Sequence, residues 1–142
     1  MLKMLIAIDG STHALNAIAT VAAMAKAGLP LQVTLLNVRD EPVYYGELPP
    51  LSVEAIIEGQ RARQEAVLQA ATRHAREHGI EPVEVRRAEG WVADEIVQAA
   101  AEIGADQIIL GTRGMGAMRS LIMGSVAQRV VHGSKVPVLL VK

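Results

Sequence analysis

Cysteine is absent from this chain, which excludes disulfides, thiol catalysis and thiolate-held metals. That absence fits a reducing compartment, so a cytoplasmic location is expected. Aromatic residues are almost as scarce: Trp91, Tyr44 and Tyr45, with no phenylalanine. The core must therefore be aliphatic. Single-strand nucleic-acid binding needs basic grooves interleaved with stacking aromatics, and a net charge of −1 with three aromatics supplies neither. No nucleic-acid partner is expected. No apolar run approaches the length of a membrane span. The opening "MLKMLIAIDG" is interrupted by Asp9 and followed by no cleavage-like site, so no signal peptide is expected. Lysine is missing between Lys26 and Lys135, which removes the Gly-Lys-Ser/Thr ending of a Walker loop.

What is present is one recurring unit: an apolar run, a helical stretch, a glycine, and another run. "KMLIAID" (3–9) leads into a helix with Leu15, Ile18, Ala22 and Ala25 on one face, ending at Gly28. "LQVTLLNV" (31–38) is followed by a long helix over about 52–78 carrying Ile57, Leu68, Ala71 and Ala75, which stops at Gly79. "PVEVRR" (82–87) precedes a helix with Val92, Ile96, Ala99 and Ile103, closed by Gly104. "DQIILG" (106–111) comes before a glycine-rich stretch, a helix over about 125–133, and a final "VPVLLV" (136–141).

Five runs separated by four helices predict successive βαβ units in one domain, residues 1–142. Most of these runs do not alternate, as expected of parallel strands buried on both faces. "PVEVRR" is shorter and more polar, which suits an edge. With right-handed crossovers the expected fold is a single doubly wound, Rossmann-like α/β sheet of order 3-2-1-4-5. The irregular connection "RDEPVYYGELPP" (39–50) is either a lid or partner surface, or an inert loop.

In that order the winding reverses between strands one and four, where such sheets bind ligands. Strand one ends in "IDGST" and strand four in "LGTRGMG", the only two strand ends rich in Gly, Ser and Thr. Glycines let main-chain N–H groups approach anion oxygens, and Gly124-Ser125 then opens a helix whose positive end favours negative charge. Arg113 and Arg119 add cations. Turn-forming glycines with an ordinary serine N-cap are the alternative. The dinucleotide fingerprint fails because Arg119 stands where its third glycine belongs. A flavodoxin-type Ser/Thr-rich loop is not matched by "DGSTHA". What remains is Gly111, two residues, Gly114, nine residues, then Gly124-Ser125.

That spacing resembles the G-x2-G-x9-G-(S/T) signature of ATP-binding members of the universal stress protein family. The resemblance extends to "LIAIDGS", "TLLNV" and the terminal "VPVLLVK". It implies a five-stranded α/β homodimer that binds ATP, ADP or AMP, with or without Mg²⁺. Carried over by position, Asp9 would hold the ribose hydroxyls. Ala7, Ile8, Val38 and Leu110 would flank adenine and sugar. Gly111, Arg113, Gly114, Gly124, Ser125 and Val126 would surround the phosphates, with Ser11 and Thr12 close enough to join. By residue type alone, Asp9 can equally serve as the negative charge at the start of the helix that follows it. Asn37 departs from the family, which often has histidine there, and segment 39–50 has no counterpart.

Three functions follow: a nucleotide-dependent regulatory or stress-response protein, a slow Mg-dependent ATP hydrolase, or a nucleotide-free dimeric interaction module. At most weak ATPase activity is expected, because no base for water and no lysine for the β/γ-phosphates is evident. "HAREH" (74–78) formally matches an inverted zinc-peptidase pattern, but no third ligand accompanies His74 and His78, and no metal site is expected. His13 and His132 are expected at helix surfaces, and Met115, Met118 and Met123 packed under the glycine-rich loop. The apolar terminal run would be an open edge, and pairing across a two-fold axis would cover it. A homodimer through residues 136–141 is therefore expected.

Overall fold

Apolar runs that do not alternate need cover on both faces, and the fold gives them that cover. The computed structural model describes residues 1–40, 50–113 and 123–142. Its elements are β1 (Leu2–Ala7), α1 (Thr12–Lys26), β2 (Leu31–Arg39), α2 (Pro50–Glu77), β3 (Val83–Glu89), α3 (Val92–Ile103), β4 (Gln107–Gly111), α4 (Ser125–Gly133) and β5 (Val138–Val141). The strands form one parallel sheet of order β3-β2-β1-β4-β5, as the sequence predicts. β1 runs in register with β2 from Leu2 opposite Leu31 to Ala7 opposite Leu36, and with β4 from Met4 opposite Gln107 to Ile6 opposite Ile109.

Alternate residues of each strand point to opposite faces, which divides the core in two. Met4, Ile6, Val33, Leu35 and Ile109 pack under α1 and α2, against Ile18, Val21, Leu68, Ala71 and Ala75. Leu5, Leu36, Ile108 and Leu110 pack under α3 and α4, against Ile96, Ala99, Ala127 and Val130. The small alanines let the helices lie close to the sheet, which is how a core without phenylalanine is filled.

Where boundaries differ from the sequence reading, they do so by one or two residues. β1 stops at Ala7 rather than Asp9, although the Ile8 N–H still reaches the Leu36 carbonyl at 2.8 Å. β3 runs on to Glu89, since alternation allowed by an edge position hides a strand's end. α3 closes at Gly104, as the sequence predicts, and its φ of 64° and ψ of 46° make a left-handed cap, with the Ala105 N–H on the Ala100 carbonyl at 2.8 Å. Among the described residues no helix is long and apolar enough to cross a membrane.

The β3 edge is polar and cross-linked. The Arg87 guanidinium grips Glu65 of α2 and holds its carboxyl below the usual glutamate range. Gln98 and then Arg86 do the same for Glu102 of α3. At the opposite edge all four residues of β5 are half-buried.

Candidate functional site

A strand that ends in "IDGS" must turn sharply to start a helix, and the turn here is built from three neighbours. Gly10 has a φ of +87°, which a side chain would strain. The Asp9 carboxylate accepts the Ser11 N–H at 2.9 Å. The Ser11 hydroxyl, as N-cap of α1, accepts the Ala14 N–H at 3.2 Å. Asp9 thus fixes the turn that opens α1, whatever else it binds.

Beside it, β4 ends at Gly111. A Cβ built on Gly111 would lie 2.6 Å from the His13 Cβ and 3.1 Å from the His13 carbonyl carbon. Glycine stands here because α1 crosses directly over the end of β4. The chain then leaves the sheet at Thr112, whose N–H binds the Val141 carbonyl at 2.8 Å, and returns at Gly124, whose N–H binds the Thr112 carbonyl at 2.6 Å. α4 starts at once. Its N-cap is Gly124, buried, at φ −67° and ψ 160°, and among the described residues no side chain caps the helix. The first intrahelical bond at this end is Gln128 N–H to the Gly124 carbonyl, at 3.1 Å. Among the described residues, the amides of Ser125, Val126 and Ala127 find no acceptor, at the positive end of the helix.

These ends enclose a cleft of about 620 Å³ over the carboxyl edges of β1, β2 and β4. Of the residues singled out from sequence, Ala7, Ile8, Asp9, Ser11, Val38, Leu110, Gly111, Arg113, Gly124, Ser125 and Val126 line it. Thr12 does not: as the first residue of α1 it is exposed. Gly114, Met115, Met118, Arg119 and both tyrosines lie outside the described residues. Met123 packs on the α3–α4 side of the sheet. His74 and His78 lie 4.2 Å apart, ring centre to ring centre, and the described residues contain no group of three or more side chains placed to hold a metal.

Sequence reasoning missed the third wall. The middle of α2 overhangs the strand ends and contributes Gln60, Arg63, Gln64 and Val67; β2 adds Arg39 and Asn37, the latter already noted from the sequence. Gln64 and Asn37 are both more than nine-tenths buried. The Asn37 amide donates to the Ile8 carbonyl at 2.6 Å, tying the end of β2 to that of β1. The Gln64 amide donates to the carbonyls of Asn37 at 3.1 Å and Ala88 at 3.0 Å, tying α2 to β2 and β3. A signal existed: Gln64 sits seven residues after Ile57 and four before Leu68, a polar residue on the buried stripe. Asn37 likewise interrupts an apolar strand.

The cleft's cations differ in availability. Arg39 pairs with Glu89 and contacts the Gln60 oxygen at 3.3 Å. Arg63 and Arg113 have no ion pair among the described residues. An apolar floor of Ile8, Leu36, Val38 and Leu110, two uncommitted guanidiniums and an uncapped helix start suit a ligand with a flat apolar part and an anionic tail.

Known proteins with the same pattern bear on that description. The model of the Universal stress protein family matches residues 1–142. A universal stress protein of Thermus aquaticus is 37% identical over 142 residues, covering 97% of this chain and 96% of that protein. Among solved structures, the Methanocaldococcus jannaschii protein MJ0577 superposes with a TM-score of 0.82 at 28% identity, covering 99% of this chain and 94% of that one. A universal stress protein of Archaeoglobus fulgidus, solved in complex with dAMP, gives a TM-score of 0.61 at 25% identity, over 100% of this chain and 98% of that one.

Proposed function

The chain belongs to the universal stress protein family, and from that premise we propose that it is a nucleotide-dependent regulatory protein whose cleft takes an adenine nucleotide. The observation that carries the reading is the meeting of the β1 and β4 ends beneath the uncapped start of α4. The phosphates lie over the amides of Ser125 and Val126, with Arg113 alongside, where a buried glycine N-cap leaves room for them. Asp9, at the end of β1 where it lines the cleft, takes the ribose hydroxyls. Ile8, Val38 and Leu110 cover the base and sugar. The dAMP complex of the Archaeoglobus relative supports this class of ligand. ATP is the proposed occupant, with Mg²⁺ bridging its phosphates as required, and the proposed setting is the cytoplasm. Binding is favoured over turnover because, among the described residues, no lysine lines the cleft to meet the β/γ-phosphates.

Isothermal calorimetry with ATP, ADP and AMP tests this directly. One saturable site per chain is expected, along with excess adenine absorbance in the supernatant of freshly purified, denatured protein. Flat titrations with all three nucleotides and no adenine absorbance would remove the proposal.

We also propose that β5 pairs with its copy in a homodimer. It is an edge strand of apolar sequence, and its four residues remain half-exposed. Sedimentation velocity at micromolar concentration is expected to show a dimer; a monomer alone would refute it.

A further inference from the structure

The two buried carboxamides of the cleft are oriented, and their orientation leaves a one-sided chemical surface. The Asn37 NH2 group faces the Ile8 carbonyl, and the Gln64 NH2 group faces the carbonyls of Asn37 and Ala88. Flipping either amide would set oxygen against oxygen, so the main chain fixes which atom turns away. Both hydrogens of the Gln64 amide are used. Among the described residues, neither the Asn37 Oδ1 nor the Gln64 Oε1 has a hydrogen-bond partner, yet no enclosed side-chain oxygen or nitrogen is left unpaired. Both oxygens must therefore reach open space. Both residues are more than nine-tenths buried and both line the cleft, so that space is the cleft. The neighbouring Gln60 oxygen, by contrast, is occupied by Arg39.

We propose that Asn37 and Gln64 read the exocyclic amino group of the bound base, their two fixed carboxamide oxygens selecting a 6-amino purine over one with no donor at that position. This rests on the reading of the cleft as a nucleotide site. There the phosphates lie at α4 and the sugar at Asp9, which places the base toward β2 and α2, where these two side chains stand. An acceptor-only wall pairs with a donor. Against a donor-free edge its oxygens lose water and gain no partner, which is the arrangement that discriminates strongly. The surface is also rigid, because turning either oxygen away breaks the bonds that join α2, β1, β2 and β3.

The test compares ATP with purine riboside triphosphate, which lacks only the 6-amino group, by calorimetry on the intact protein. The analogue is expected to bind about tenfold more weakly. In Gln64→Leu, ATP should fall toward the analogue's affinity while the analogue changes little, since it never used the oxygen. Equal binding of ATP and the analogue by the unmodified protein would overturn the inference and leave the nucleotide reading standing. A Gln64→Leu variant that weakens both ligands alike would assign Gln64 a structural role only, and would overturn its part. Failure of both ligands to bind the unmodified protein would remove the nucleotide reading itself.

Discussion

Gly111→Ala is expected to destabilise the fold by about 2–3 kcal/mol, in the upper range for overpacking. The added carbon would sit 2.6 Å from the His13 Cβ and 3.1 Å from a main-chain carbon of α1. Rotating a side chain cannot relieve that contact, because a Cβ and a carbonyl carbon move only with their helix. α1 cannot move alone either. Ile18, Val21 and Ala22 are locked into the sheet, and its first turn is tied by Asp9 and Ser11 to the end of β1. Urea denaturation should show a lower midpoint with an unchanged slope, and melting should fall by roughly 5–10 °C for a domain of this size. Adding His13→Gly to Gly111→Ala should return part of the loss, since it removes the nearest atom, less about 1 kcal/mol for glycine in a helix. A Gly111→Ala protein within about 0.5 kcal/mol of the parent would mean that α1 does not rest on β4 as described.

Gly124→Val is expected to do the reverse: leave the fold and remove the ligand. Gly124 sits at φ −67° and ψ 160°, an extended conformation open to any residue, so the substitution strains no backbone. Its N–H bond to Thr112 survives the change, because the main chain supplies it. What changes is the surface before the amides of Ser125 and Val126. A branched side chain there fills the volume through which phosphate oxygens would approach. ATP affinity should drop by roughly 100-fold or more, the equivalent of about 2.7 kcal/mol, with a melting temperature close to the parent's. Calorimetry and thermal melting on the same preparation decide it. Unimpaired ATP binding would show that the phosphates are not where they are proposed to be.

The contrast between these two glycines shows how much of the site was legible in the residues. Spacing alone put Gly111 and Gly124 in one signature, and both do line the cleft. It could not distinguish a glycine demanded by a helix crossing overhead from one that leaves a helix start uncovered, because both appear simply as a missing side chain. The sheet order was legible for a stronger reason. Unbroken apolar runs, right-handed crossovers and one polar edge run admit few arrangements, and the arrangement found brings the two Gly/Ser-rich strand ends together. The α2 wall was not legible. Periodicity identifies the stripe of a helix that faces inward, as Leu68, Ala71 and Ala75 do. It does not say that the same stripe, continued to Gln64, passes beyond the sheet's edge and faces a cleft. The long connection before α2 hid how far the helix overhangs. Thr12 shows the opposite error: a residue near the site in sequence can point outward once a helix begins at it.

The hydrogen bond between Thr112 and Gly124 has a consequence for where α4 begins. The scaffold itself clamps the two ends of the intervening segment, so closing that segment is already part of folding the sheet. That one bond sets the start of α4 against the end of β4 directly, so the position of the helix's positive end is inherited from the sheet.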